Sequence, residues 1–213
     1  MDTLNVTRRN FLKSTATVAG GLIIGFHLPV GSRFAQAAGK TTETPINAWL
    51  RIGTDDRITV LMAHSEMGQG VHTSLPMLVA EELEADWRNI QIETSLIGGV
   101  YKNPAIGMQA TGGSTSVRSR WEMLRTAGAA AREVLIEAAA QQWQVPPASC
   151  HAANSTVIHS ASGQTLRYGQ LAEAAAKLTP PDAPKLKSPS AFKILGKPTK
   201  RLDTPAKVDG SAI

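Results

Sequence analysis

Clusters of apolar and β-branched residues mark the first strands of the chain. Residues 49–52 and 58–62 are of this kind and flank a Gly/Asp-rich turn at 53–57, which predicts a β-hairpin. Further on, apolar and polar positions alternate over residues 90–96 and end at a Gly-Gly pair, which predicts another strand. Strands therefore dominate the first part of the chain on either side of one helical segment.

Two longer segments have apolar residues at helical spacing. The first starts at Thr73 or Ser74, with Pro76 near its first helical position, and extends to Trp87 with acidic residues on its other face. The second extends over residues 116–143 and is rich in alanine, which predicts a long helix packed closely along an alanine stripe. Two prolines at 146 and 147 end it.

The remaining pattern predicts a second hairpin at 156–159 and 165–168 and a short helix at 170–178. Residues 101–113 show no period and contain several glycines, which predicts an unusually long loop. Hairpins alternate irregularly with helices, so the predicted fold class is α+β. We expect a mixed sheet with hairpins, packed on the long Ala-rich helix.

The first 37 residues have the pattern of a targeting segment. Residues 7–13 read Thr-Arg-Arg-Asn-Phe-Leu-Lys, a small and apolar stretch follows at 14–30, and residues 35–37 read Ala-Gln-Ala. A charged start, an apolar middle and an Ala-x-Ala cleavage site are typical of a secretory signal, and the paired arginines resemble the twin-arginine type. The alternative is an amphipathic or buried helix with two surface arginines. The resemblance predicts a bacterial protein exported to the periplasm after folding.

The charge of the 213-residue chain is unevenly distributed. It has 22 Lys and Arg against 17 Asp and Glu, a net charge of +5. Residues 1–37 and 177–213 are basic, whereas residues 38–176 carry ten basic and thirteen acidic side chains. Because basic ends around an acidic body form no continuous basic face, the sequence disfavours nucleic acid as a partner. After the leader, no apolar run has the length and flanks of a membrane span.

The carboxyl-terminal part of the chain has the composition of a linker. Residues 179–205 are rich in proline and lysine, which predicts a linker after a first region at 38–178. Residues 206–213 have no stop signal and end in Ile213, and we interpret them as the start of a following domain. Cys150 is the single cysteine, so no disulfide forms within the chain.

The first segment suited to binding lies at residues 66–73. Gly68, Gln69 and Gly70 lie between a predicted strand and a predicted helix. Flanking glycines let the backbone approach a ligand closely, and the Gln69 carboxamide can both donate and accept hydrogen bonds. The alternative is an ordinary strand-to-helix turn with an exposed glutamine.

A second loop, at residues 110–116, leads into the long helix and reads Ala-Thr-Gly-Gly-Ser-Thr-Ser. Unpaired amides and hydroxyls at a helix start can hold a phosphate or pyrophosphate. The alternative is N-capping by Ser114 or Ser116. Neither loop matches the dinucleotide-binding or phosphate-loop patterns.

Other titratable residues form no motif. The histidines lack the spacing of metal ligands, so we expect no metal bound by protein side chains. Cys150 and the adjacent His151 are interpreted as structural. The acidic run at 81–86 is interpreted as a solvated helix face.

Four segments together resemble the molybdenum hydroxylase family. They are residues 66–73 (Glu-Met-Gly-Gln-Gly-Val-His-Thr), 80–83 (Ala-Glu-Glu-Leu), 111–116 (Thr-Gly-Gly-Ser-Thr-Ser) and 201–210 (Arg-Leu-Asp-Thr-Pro-Ala-Lys-Val-Asp-Gly). More narrowly, the chain is similar to the amino-terminal part of the large, molybdopterin-binding subunit of two relatives of xanthine dehydrogenase. These are isoquinoline 1-oxidoreductase, in its β-subunit, and periplasmic aldehyde dehydrogenase. The resemblance covers about residues 46–213.

This resemblance implies hydroxylation of an aldehyde or an N-heterocycle at carbon, with oxygen drawn from water. It implies molybdopterin as cofactor, in its mononucleotide or cytosine dinucleotide form, bound in a larger domain of which this chain is part. Gln69, between Gly68 and Gly70, would bond an oxo ligand of molybdenum. The pterin pyrophosphate would be held by the residues of the second loop, Gly112, Gly113, Ser114, Thr115 and Ser116.

The same resemblance implies two protein partners, a small [2Fe-2S] subunit and a c-type cytochrome as electron acceptor. The sequence departs from the family because the Gly-x-Gly-Glu element that carries the general base has no counterpart, and Glu66 precedes the glycine loop. We therefore assign no catalytic residue and expect the chain alone to be inactive. Two hypotheses remain beside this one: an exported non-catalytic scaffold or interaction domain, and a periplasmic module that binds a small phosphorylated ligand.

Overall fold

The computed structural model describes residues 22–25 and 48–212 and contains two sheets. The larger sheet has four strands in chain order, β1 (Leu22–Gly25), β2 (Ala48–Ile52), β3 (Ile58–Met62) and β4 (Ile90–Thr94). β2 and β3 form the predicted antiparallel hairpin, with Leu50 opposite Val60. All five residues of β3 except Thr59 are buried, so this strand lies in the core.

β4 pairs with β3 in parallel, from Ile58 opposite Ile90 to Met62 opposite Thr94. Since parallel strands need a crossover, helix α1 (Val71–Leu83) connects them. The helix begins earlier than predicted because Gly70, with φ 83°, turns the chain directly into it. Pro76 therefore lies inside α1, where its missing amide removes one helical hydrogen bond.

The long helix α2 (Ser116–Trp143) has the bounds that the sequence predicts. It ends where Gln144 turns left-handed, with φ 57°, two residues before Pro146. Its small residues let α1 approach closely: a Cβ added to Gly128 would lie 2.4 Å from the carbonyl oxygen of Val79. The predicted close packing along the alanine stripe is thus present, with Ala127, Ala131 and Ala138 buried.

The smaller sheet is an antiparallel meander of β5 (Cys150–Ala153), β6 (Thr156–His159) and β7 (Thr165–Arg167), followed by helix α3 (Tyr168–Ala175). β6 and β7 are the predicted second hairpin, and α3 starts two residues earlier than predicted. β5 was not predicted, because its Cys-His-Ala-Ala sequence lacks β-branched residues. The fold class is α+β, as predicted.

The acidic run at 81–86 is not a solvated helix face, and that interpretation was wrong. Glu81 and Glu82 are buried. Their carboxylates accept hydrogen bonds from backbone N–H groups of the segment 185–195, including that of Lys187 at 2.9 Å from Glu82 and that of Ile194 at 2.7 Å from Glu81. This segment belongs to the predicted linker, yet it covers α1. The domain boundary itself stays a prediction.

The two predicted end segments are described only in part. Of the predicted leader 1–37, only β1 is described, and it pairs antiparallel with β2. The remaining leader residues, including the paired arginines, lie outside the described residues. At the other end, helix α4 (Thr204–Asp209) precedes Gly210, and Ile213 lies outside the described residues. In the part of the chain that the structure describes, no helix combines the length and apolar composition of a membrane span.

Candidate functional site

The two predicted binding loops meet at one edge of the larger sheet. Because β3 and β4 are parallel, their carboxyl ends lie side by side, the edge at which open α/β sheets place ligands. The first loop follows β3, and the second loop leads into α2. The Ser65 N–H donates to Thr111 Oγ1 at 2.8 Å, and Ser116 Oγ lies 3.4 Å from His64 Nδ1. The structure therefore joins the bases of the two loops, and of the eight candidate residues only Ser116 takes part in these contacts.

The glycines of the first loop are required by backbone conformation rather than by lack of space. Gly68 has φ 99° and Gly70 has φ 83°, values that residues with a side chain rarely adopt. A Cβ on either glycine would meet no atom within 4 Å. The space beside both glycines is therefore open to a ligand.

The Glu66 carboxylate organises this loop from within. It accepts the N–H groups of Gly68 at 2.9 Å, of Gly70 at 2.8 Å and of His72 at 3.0 Å. Burial opposes ionisation, but these bonds and the Arg201 charge outweigh it, so the pKa of Glu66 lies below its usual value. Glu66 is thus an ionised cap for the first turn of α1, in which Gly70 itself offers no side chain.

The Gln69 side chain is exposed and folded back on its own loop. Its Nε2 donates to the Ser65 carbonyl at 2.8 Å, and its Oε1 accepts the Met67 N–H at 2.5 Å. Both ends of the carboxamide are therefore oriented by the backbone. A ligand that hydrogen-bonds Gln69 would replace or share one of these bonds.

Arg201 reaches the first loop from far along the chain, and no residue pattern in the sequence indicates a role for it in the site. Its Nη1 donates to the Gly68 carbonyl at 3.0 Å and its Nη2 to Glu66 Oε1 at 3.1 Å. Asp203 holds the other edge of the guanidinium, at 2.9 Å from Nε and 2.7 Å from Nη2. The segment 201–210 is one of the four that resemble the family, but its contact with the first loop could not be predicted from the sequence.

The second loop turns through two consecutive left-handed residues, Gly113 with φ 62° and Ser114 with φ 53°. Thr115 is buried, and its Oγ1 donates to the Gly112 carbonyl at 2.8 Å and accepts Asn103 Nδ2 at 2.6 Å. Gly112, Gly113 and Ser114 are exposed, and Ser116 is half-buried. The loop is thus fixed by one buried hydroxyl and presents its tip to solvent.

The helix start behind this loop is not capped by a serine, contrary to the alternative considered above. The N-cap of α2 is Thr115, and it makes no side-chain capping bond. Within residues 22–25 and 48–212, the amides of Ser116, Val117 and Arg118 make no hydrogen bond. Free amides at a helix start attract an anion.

A buried cation lies beneath the junction of the two loops. Arg120 is 1% exposed, and its Nη2 donates to the carbonyls of Tyr101 at 2.8 Å and Lys102 at 2.7 Å. Its guanidinium lies 4.7 Å from the centre of the Trp49 ring, and its Nε lies 3.4 Å from His64 Nε2. Burial lowers the pKa of Arg120 to about 10, so it remains charged at neutral pH.

His64, beside this cation, is buried in turn. Burial and the Arg120 charge lower its pKa, so the imidazole is neutral at pH 7. No pattern in the sequence distinguished His64 or Arg120 from ordinary core and helix positions. Arg120 therefore adds a positive charge below the loops, and the neutral His64 adds none.

The segments around these loops expose an unusual number of large apolar side chains. The most exposed is Ile97, at 97%. The others are Met67, Leu96, Val100, Ile106, Met108, Val117 and Trp121.

In the described part of the chain, no group of three or more His, Cys, Asp or Glu side chains could hold a metal ion.

The fold places two glycine-containing loops at the carboxyl edge of a parallel strand pair, next to an uncapped helix start and a buried arginine. Residues 7–208 match the molybdopterin cofactor-binding domain family, and the chain belongs to this family. The assigned cofactor is therefore molybdopterin. The individual roles of the eight predicted site residues stay predictions.

Named relatives agree with this family. The beta subunit of isoquinoline 1-oxidoreductase from Brevundimonas diminuta is 30% identical over 99% of this chain and 32% of its own length. The membrane-bound aldehyde dehydrogenase (pyrroloquinoline-quinone) of Gluconacetobacter polyoxogenes is 33% identical over 98% of this chain and 27% of its own length. A nicotinate dehydrogenase subunit of Pseudomonas putida is 30% identical over 89% of this chain and 16% of its own length. The chain thus spans less than a third of each relative.

Proposed function

We propose that this chain is the molybdopterin-binding part of an oxidoreductase that hydroxylates aldehydes or N-heterocycles with oxygen from water. The observation that carries the proposal is the junction of the two loops, joined by the bond from Ser65 to Thr111 at the carboxyl edge of β3 and β4. Family membership and the relatives' names, which include an aldehyde dehydrogenase and two N-heterocycle enzymes, support it.

The residues present fit this cofactor. The free amides of residues 116–118 and the exposed backbone of Gly112 and Gly113 suit the negative charge of a pyrophosphate. The buried Arg120 below them adds positive charge. Gln69 offers a donor and an acceptor next to the open space at Gly68 and Gly70.

When bound, the cofactor supplies the redox chemistry and the metal, with thiolate ligands of its own. The residues of this chain would bind the cofactor and orient it. Glu66 is unsuited to act as the general base, because three backbone amides and Arg201 occupy its oxygens and its pKa lies below its usual value. We therefore assign no catalytic residue to this chain and expect the base to lie in another part of the enzyme.

We extend the proposal to the setting of the enzyme. The paired arginines Arg8 and Arg9 and the Ala-x-Ala sequence at 35–37 support export to the periplasm by the twin-arginine route. A small [2Fe-2S] subunit and a c-type cytochrome would carry the electrons away. Two relatives are named as subunits, which supports a multi-subunit assembly.

The first test is the metal and cofactor content of the protein isolated from its native source. We expect a molybdenum-to-protein ratio near one. One relative is named for pyrroloquinoline quinone, so the same sample is extracted for that quinone. A ratio near zero, or quinone in place of molybdenum, would contradict the proposal, and stable folding without either group would favour the non-catalytic scaffold.

The second test addresses Gln69 in the complete, molybdenum-loaded enzyme. Loss of an oriented hydrogen bond to reacting groups lowers turnover by roughly 10²–10³-fold, so Gln69→Ala should lower kcat to that extent while molybdenum content stays unchanged. Gln91→Ala is the matched control, since Gln91 is exposed on β4 away from the loops. Unchanged turnover of the Gln69 variant at full metal content would exclude the assigned role.

A further inference from the structure

Two peptide units flank Gln69, and a different side chain holds each of them. The peptide between Gly68 and Gln69 is held at its carbonyl by Arg201 Nη1, at 3.0 Å. The peptide between Gln69 and Gly70 is held at its N–H by Glu66 Oε1, at 2.8 Å. Because Gly68 and Gly70 have the conformational freedom of glycine, these bonds fix a stretch of backbone that would otherwise be mobile.

The same guanidinium joins the two holding groups. Arg201 Nη2 donates to Glu66 Oε1 at 3.1 Å, so one side chain contacts both the Gly68 carbonyl and the carboxylate that binds Gly70. A planar guanidinium can make such bonds at once, whereas an ammonium group cannot match the geometry. Arg201 therefore acts on both sides of Gln69.

Arg201 is itself oriented by its neighbours. Asp203 accepts two bonds from its guanidinium, at 2.9 and 2.7 Å, and also contacts Lys207 Nζ at 2.6 Å. The intervening Leu202 donates its N–H to Thr73 Oγ1 at 3.1 Å, which ties the segment to the first turn of α1. The Leu202 and Asp203 contacts thus fix the position of the Arg201 guanidinium relative to the loop.

We infer that Arg201, oriented by Asp203, is a positioning residue for Gln69. The inference rests on the proposed function, because the orientation of Gln69 matters only if Gln69 contacts the cofactor. It makes the segment 201–203 part of the site although it lies more than 130 residues from the loop. Its own effect, the fixed loop backbone, can be measured without any cofactor chemistry.

The experiment compares Arg201→Gln with Arg88→Gln in the intact protein. Arg88 is the control because its side chain is 88% exposed and, among the described residues, pairs only with the nearby Asp86. The first readout is hydrogen exchange of the amides at 68–72. Loss of charge-assisted bonds should speed this exchange roughly tenfold in the Arg201 variant, and the control should leave it unchanged.

The second readout is kinetic, in the molybdenum-loaded enzyme with an aldehyde as probe. We expect retained molybdenum, a fall in kcat of roughly tenfold to a hundredfold and a nearly unchanged KM, because misplacement of a group by about 1 Å has effects of this size. Arg201→Lys should restore part of kcat, since one ammonium can replace one of the two contacts. If Arg201→Gln fails to fold, Asp203→Asn tests the same orientation with the guanidinium retained.

The outcomes separate this inference from the proposed function. Unchanged exchange at 68–72 in the Arg201 variant would overturn the inference and leave the proposed function untouched. Faster exchange with unchanged kcat would also overturn it, provided that Gln69→Ala lowers kcat. If Gln69→Ala leaves kcat unchanged at full molybdenum content, the proposed role of Gln69 fails, and the positioning of Gln69 fails with it.

Discussion

Glu82 is a carboxylate that the fold removes entirely from water. It is 0% exposed and lies 2.6 Å from Arg125 Nη2 and 3.5 Å from Arg132 Nη1. Its oxygens also accept the Lys187 N–H at 2.9 Å. Removing one partner of a buried ion pair leaves the opposite charge unpaired, which is far more destabilising than losing a surface pair.

We therefore predict that Glu82→Ala lowers the free energy of unfolding by about 3–5 kcal/mol. Glu122→Ala, at an exposed position of α2, should change it by less than about 0.5 kcal/mol. Urea unfolding followed by tryptophan fluorescence measures both. Equal stabilities of the two variants would show that Arg125 and Arg132 reach water without their partner.

At the scale of single residues, the sequence yields candidate residues for the site but not the contacts that hold them. Gly68, Gln69 and Gly70 could be found because glycines around a polar residue are locally visible. Glu66 is equally local, yet its role depends on three backbone amides that converge only after folding. Arg201 could not be placed at all, since no local rule joins residues 135 positions apart.

The segment 185–195 is attached to α1 mainly through carboxylates. The buried Glu81 accepts the N–H groups of Lys193, Ile194 and Leu195 at 3.0, 2.7 and 3.0 Å. The Lys187 ammonium contacts both Glu81 and Glu84, the latter at 2.8 Å. Burial would raise the pKa of Glu81, but these donors outweigh it and hold the pKa below its ordinary value of 4.5.

This attachment should weaken in acid. A carboxylate with a lowered pKa in the folded state stabilises that state above its ordinary pKa, and the stabilisation is lost as the pH falls through the folded value. We predict that protection factors of the amides at 193–195, which correct for intrinsic exchange, stay constant from pH 7 down to 4.5 and fall as the pH is lowered further. Glu81→Gln should give low protection throughout, and pH-independent protection in the unaltered protein would contradict the prediction.

Elements were predictable where one pattern extends over many residues. The bounds of α2 followed from 28 residues of helical spacing and alanine content. The parallel pairing of β3 with β4 was not predicted, because strand patterns do not encode the direction of a neighbour. The burial of the acidic face of α1 was also hidden, since the covering segment follows it by about a hundred residues and has the composition of a linker.

Over the whole molecule, basic side chains of the carboxyl-terminal segment form ion pairs with carboxylates of the acidic body. The sequence places the basic segment 177–213 at one end of an acidic body, with the composition of a linker over 179–205. In the fold, its Lys187 and Lys193 contact Glu84, and Arg201 contacts Glu66. Part of the basic charge of this segment is therefore paired with carboxylates of the acidic body.

One strand of the larger sheet lies in the segment that the sequence predicts to be removed on export. β1 lies within the predicted leader, yet it pairs with β2 as the outermost described strand of the larger sheet. The buried core, as far as side chains are described, begins at Trp49. Because β1 is an outer strand that pairs, among the described strands, only with β2, the fold should survive the loss of residues 1–37.

We predict that the exported protein begins at Ala38 and that the chain 38–213 folds. If β1 contributes about 1–2 kcal/mol through its hydrogen bonds, Tm should fall by roughly 2–8 °C relative to the full chain. Exchange of the β2 amides at 48–52 should be faster, because their outer partners are gone, while amides of α2 keep their protection. Sequencing of the periplasmic protein from its amino terminus and thermal unfolding of both chains test this. If the chain 38–213 is unfolded, β1 is required for the fold. If the mature protein keeps residues 22–25, the leader is not cleaved after Ala37.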